Sequence, residues 1–137
     1  MYIVKIKWSI LWSLFILVLC FLPGKSFPSS NWFELFQFDK FVHAFLFMLL
    51  YLISVFEQTK IKLKKNTTLA ILLIDWNVFF YCLILAGGTE LIQHFFLEDR
   101  YGDYLDFIAN VFGIFLALFF WKFIKNRIFK TKNEGTV

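Results

Sequence analysis

Residues 86–113, AGGTELIQHFFLEDRYGDYLDFIANVFG, interrupt a hydrocarbon-like chain with Glu90, Gln93, His94, Glu98, Asp99, Arg100, Asp103, Asp106 and Asn110. Polar groups beside lipid are costly, and ionisable side chains inside membrane segments mark a pathway, a relay or a ligand site. The stretch closes one apolar run and opens another. It therefore predicts two helices joined by a short polar link, with the working part of the chain at their junction.

Composition around this stretch sets the class. Of 137 residues, 60% are hydrophobic, 23% aromatic and 18% charged, well above the apolar share of a soluble domain. The prediction is an all-α, polytopic membrane protein, a single four-transmembrane-helix bundle over residues 1–125 followed by a basic, unstructured tail over 126–137. Each crossing consumes about 20 residues, so this length accommodates no second domain. The 21 Phe residues suit a lipid-facing surface, which accepts any apolar side chain. Cys20 and Cys82 fall in different apolar runs and are expected to be buried, unpaired thiols.

The first apolar run, Trp8 to Leu22, follows Lys5 and Lys7. It resembles a secretory signal, but no small-x-small cleavage site follows, so it is expected to remain as the first helix. Residues 23–38, PGKSFPSSNWFELFQF, start with turn formers. Asn31 and Glu34 then have capping-box spacing, which predicts a short interfacial helix in the first outer loop. The second helix is expected over Asp39 to Phe56 and the third over Leu69 to Phe96, with the lysine-rich EQTKIKLKKNTT between them. Asp75, Trp76 and Asn77 are placed at the headgroup level. The fourth helix is expected over Leu105 to Ile124.

Charge orients this bundle. The N-terminus, the 57–68 segment and the C-terminal end share one side and hold eleven of the fourteen Lys and Arg residues. Positive-inside asymmetry places that side, with both termini, in the cytoplasm of a multi-pass cell-membrane protein. Asp39, Lys40, His43, Glu90, Gln93, His94, Arg100, Asp103, Asp106 and Asn110 then converge at the outer face, His94 at headgroup level beside Phe95 and Phe96. Spacing supports the convergence: Asp39 and His43 are one turn apart, Glu90 and Gln93 likewise, and Asp103, Asp106, Asn110 and Gly113 form one stripe. Gly87, Gly88 and Gly113 permit close helix approach.

At these positions the chain resembles the VanZ-like family, named after a teicoplanin-resistance membrane protein. The resemblance rests on an ordered set of blocks: Asp39-Lys40-Phe41-Val42-His43, then Glu90-Leu91-Ile92-Gln93, Arg100, and Asp106-Phe107-Ile108-Ala109-Asn110-Val111-Phe112-Gly113. It covers roughly residues 6–125. It implies a four-helix protein of the bacterial cell envelope, in some members associated with reduced glycopeptide susceptibility. It brings no settled mechanism.

Three functions fit these residues. A binding protein would hold an envelope lipid or lipid-linked cell-wall precursor, with Arg100 and Lys40 on an anion and the carboxylates on sugar or peptide donors. An enzyme would use Glu90, Asp106 and His43 for acid–base or metal-assisted attack on an envelope lipid or glycan linkage. A packing protein would use the same groups only to lock helices within a membrane complex. Binding is the preferred reading. Glu90 and Asp106 are the candidate coupled carboxylates. His43 is a packing histidine, a proton carrier or a metal ligand, and Lys40 is a second anion contact or a snorkelling anchor. No nucleophile elbow, glycine-rich phosphate loop or zinc signature occurs, so no cofactor or metal is assigned, and nothing points to nucleic acid.

Overall fold

The computed structural model describes residues 7–21, 38–63, 68–96 and 104–134, all of them helical. The helices are α1 (Lys7–Phe21), α2 (Phe38–Leu63), α3 (Thr68–Phe96) and α4 (Tyr104–Glu134). The long apolar runs lack proline, and an α-helix satisfies its own backbone hydrogen bonds within the segment. Asp39 and Asp106 stand in the first turns of α2 and α4, where a carboxylate complements the positive end of the helix dipole.

Phe38–Ile61, Ile74–Phe95 and Tyr104–Lys125 are each long and apolar enough to cross a membrane. α1 is shorter, at 15 residues. The predicted interfacial helix falls outside the described residues. Two helix ends differ from expectation. α2 continues past Phe56 to Leu63, and α4 continues past Ile124 to Glu134, through most of the tail expected to be unstructured. No glycine or proline interrupts α4 before Gly135, and its Lys, Arg and Asn residues tolerate helix well enough for it to run on.

Helices consecutive in the chain run antiparallel, so α2 and α4, which pack most extensively, run parallel, with Lys40 beside Asp106 at one end and Phe56 beside Trp121 at the other; α2 packs next most on α3. Each helix contributes one buried stripe at helical spacing: Ser9, Ser13, Ile16 and Cys20 on α1; His43, Phe47, Leu50, Ser54 and Val55 on α2; Ile74, Val78, Cys82, Ala86 and Glu90 on α3; Asp106, Asn110, Ile114, Ala117 and Trp121 on α4. Trp121, Tyr51 and Phe47 are the largest of the fully enclosed side chains. The opposite faces carry exposed apolar residues, among them Phe41, Phe80, Ile84, Phe95, Phe119 and Phe123. Such a jacket is what hydrocarbon, rather than water, would cover. Cys20 and Cys82 are buried, and neither forms a disulfide.

The α2–α4 crossing is tight because of one glycine. A Cβ at Gly113 would lie 2.0 Å from the Ala44 carbonyl oxygen, so only hydrogen fits between the two backbones. Gly87 and Gly88 do not play the expected part: a Cβ there would meet Phe107 at an ordinary 3.8 Å, or nothing within 4 Å.

Candidate functional site

The core stripes of α2, α3 and α4 turn polar at one end of the bundle. The helical period that buries Phe47, Ala86 and Ile114 also carries His43, Glu90, Asp106 and Asn110 inward. Asn110 is 0% exposed, His43 4%, Asp106 8% and Glu90 9%. Buried polar groups of this kind must be hydrogen-bonded to be tolerated.

They form a chain across three helices. Asn110 Nδ2 donates to Glu90 Oε1 at 3.3 Å, and Asn110 Oδ1 lies 3.1 Å from His43 Nδ1. An ionised carboxylate only accepts, so Glu90 fixes which way the Asn110 amide faces. Its oxygen then meets His43, whose Nδ1 must carry a hydrogen and donate. His43 Nε2 therefore presents its lone pair, when neutral, toward Asp39 Oδ1 at 3.7 Å and Asp106 Oδ2 at 3.9 Å. Asp106 Oδ1 is claimed by Lys40 Nζ at 2.8 Å. The two candidate carboxylates are thus linked through Asn110 and His43.

Other expected site residues are placed differently. Lys40, read as an anion contact or a snorkelling anchor, is an ion-pair partner of α4, with 22% of its side chain exposed. Gln93 reaches the same end, but its amide donates to the Cys20 carbonyl at 2.8 Å and so fastens the last turn of α1, where helix carbonyls lack partners of their own. Asp39 stands at the mouth with 56% of its side chain exposed. Arg100 and Asp103 lie outside the described residues. His94 is exposed and edge-on to Phe95, as a headgroup-level residue would be.

A second polar centre at the opposite end was not foreseen. Asp75 accepts from Trp121 Nε1 at 2.9 Å and from Lys125 Nζ at 2.7 Å, tying α3 to α4. The signal was there in Asp75's position beside core-facing Ile74 and in the one-turn spacing of Trp121 and Lys125. Nearby, Glu57 accepts from the backbone N–H groups of Trp8 and Ser9 and from the Ser9 hydroxyl, capping α1 from α2. α1 has no acidic residue in its own first turn, which was the available clue. An apolar groove of about 1040 Å³ lies between α1 and α2 on this side, lined by Trp8, Trp12, Phe15, Leu52 and Phe56 among others. It is separate from the buried network at the other end.

The chain matches no protein-family model, no curated protein and no solved structure. What the site can do is therefore argued from its own groups. Carboxylates at a half-open mouth accept hydrogen bonds from hydroxyl or ammonium donors, while Asp39, His43 and Asp106 bring three metal-ligating atoms within 4.8 Å of one another.

Proposed function

We propose that this chain is a small VanZ-like protein of the bacterial cell membrane that recognises an envelope lipid or lipid-linked cell-wall precursor at its outer face. One observation carries the reading: an otherwise apolar bundle draws His43, Glu90, Asp106 and Asn110 from three helices into one buried network that opens outward through Asp39 and Lys40. In this reading all four helices belong to the membrane domain. α1 supports that assignment by reaching from Glu57 at one end to Gln93 at the other. The lysine-rich 57–68 segment and both termini then face the cytoplasm, putting the network in the outer leaflet.

The contacts divide by chemistry. Asp39 accepts from sugar hydroxyls or a peptide ammonium, and Lys40, held by Asp106, reaches an anion only as a shared cation. In this scheme Arg100 is assigned to the anion and Asp103 to a hydrogen-bond donor of the ligand. A link to glycopeptide susceptibility follows if the recognised group belongs to a wall precursor.

The test is native mass spectrometry of lipids retained by the detergent-purified protein, comparing wild type with Asp39→Asn and Glu90→Gln. Loss of a charged hydrogen bond of about 1.5–3 kcal/mol weakens retention roughly ten- to a hundredfold. Asp39→Asn is expected to do this at only a small cost in thermal stability, since half-exposed Asp39 contributes about 0.3–1 kcal/mol at the α2 helix end. Retention unchanged in both variants refutes recognition. A modified lipid formed by wild type and missing in Glu90→Gln shifts the assignment to catalysis.

A further inference from the structure

The side of His43 that faces Asp39 and Asp106 poses an electrostatic question. Asn110 holds Nδ1 as a donor, so Nε2, when neutral, directs its lone pair at two carboxylate oxygens, 3.7 and 3.9 Å away. The three ligand atoms lie within 4.8 Å of one another, an arrangement that a cation between them would stabilise.

We propose that Asp39 Oδ1, His43 Nε2 and Asp106 Oδ2 form a binding site for a divalent cation of the zinc class. Zinc bonds to nitrogen and carboxylate oxygen are about 2.0–2.2 Å, which puts tetrahedral ligand atoms roughly 3.3–3.6 Å apart. The two imidazole–carboxylate separations, 3.7 and 3.9 Å, need to close by only a few tenths of an ångström, and Asp39 and Asp106 lie within 4.8 Å of each other, with Asp39 the exposed ligand that moves. The fourth position faces the mouth of the bundle. Supporting contacts are already in place. A ligating imidazole donates its other N–H to an oxygen, the part Asn110 plays, and a ligating carboxylate is held by a further hydrogen bond, the part Lys40 plays at Oδ1. The sequence conceals this site because its ligands are split between Asp39-x-x-x-His43 and a carboxylate 63 residues later (106 − 43).

The cation site does not require the lipid reading, and its test contains no lipid ligand. Purified full-length protein in detergent is dialysed against Zn²⁺ and the bound metal counted by elemental analysis. The expected result is one zinc per chain, retained by the remote carboxylate variant Glu57→Gln. Asp39→Asn is expected to weaken binding at least about tenfold, since even partners that merely support ligands contribute 10- to 100-fold. His43→Gln is expected to abolish it. Cobalt substituted for zinc should give a visible tetrahedral spectrum that Asp39→Asn alters. Wild type that binds no zinc, or zinc held equally by folded Asp39→Asn, overturns the proposal. If His43→Gln does not fold, Asp39→Asn decides alone.

Discussion

Replacing Gly113 with alanine tests the α2–α4 crossing and the site beside it together. The new Cβ would stand 2.0 Å from the Ala44 oxygen, 2.7 Å from its carbonyl carbon and 2.9 Å from its Cα. All three are backbone atoms, so no rotamer change relieves the clash. To reach ordinary contact at 3.4 Å the helices must part by about 1.4 Å (3.4 − 2.0). Ala44 adjoins His43, and Gly113 lies one turn after Asn110. The same displacement therefore stretches the 3.1 Å His43–Asn110 bond and the 2.8 Å Lys40–Asp106 pair. Overpacking alone costs about 1–3 kcal/mol, and a lost buried hydrogen bond adds about 1 kcal/mol. Against this stands only the gain of about 0.5–1 kcal/mol from removing a helical glycine. A net loss of about 1–3.5 kcal/mol is expected, read as an earlier melting transition in detergent by tryptophan fluorescence. Gly88→Ala is the internal control: its Cβ meets nothing within 4 Å, so it should be neutral or slightly stabilising. Equal stability of Gly113→Ala and wild type refutes the close crossing. Equal losses at both glycines would show that helix backbone chemistry, not contact, sets the effect.

Three further outcomes follow from named contacts. Glu57→Gln weakens the cap on the α1 N-terminus and should cost about 1 kcal/mol, with increased protease cleavage within α1 as the readout. A double-mutant cycle on Asp75→Asn and Lys125→Met should give a coupling of about 1–2 kcal/mol, below that of a fully buried pair because both side chains keep some exposure, 24% and 14%. Gln93→Leu should leave the α2–α4 network intact but loosen α1, detected as faster thiol labelling of buried Cys20; unchanged labelling would refute the Gln93–Cys20 tie.

Helical period alone made much of this architecture legible. The 3, 4, 3 spacing of Asp103, Asp106, Asn110 and Gly113 placed three described residues on one buried stripe, and His43 and Glu90 were expected to meet it. Pairing was not legible. Lys40 and Asp106 are 66 residues apart, and no local pattern distinguishes a lysine bound for a carboxylate from one bound for headgroups. Gln93 shows the same limit, since spacing gave its face but not that a helix-end carbonyl would claim its amide. α2 and α4 outrun their expected ends because the lysines that follow each apolar run read as loop. Charge does not stop a helix that has no glycine or proline to break it, and Glu57 and Lys125 acquire their partners on those extra turns.

The two polar centres also separate packing from function. At the Asp75 end, one carboxylate meets one lysine and one indole N–H, so its charge is balanced and its acceptors are used. That is sufficient to pin helices. Among the described residues, the other end brings together three carboxylates, one lysine and a histidine whose second nitrogen faces two of the carboxylates. A single pair is enough to pin helices, whereas burying ionised Glu90 and Asp106 together carries a desolvation penalty of several kcal/mol per ion. In the proposed reading, a positive or donor-rich group entering the mouth meets half-exposed Asp39 first, and that opening is why we assign recognition to the His43 cluster rather than to the Asp75 pair.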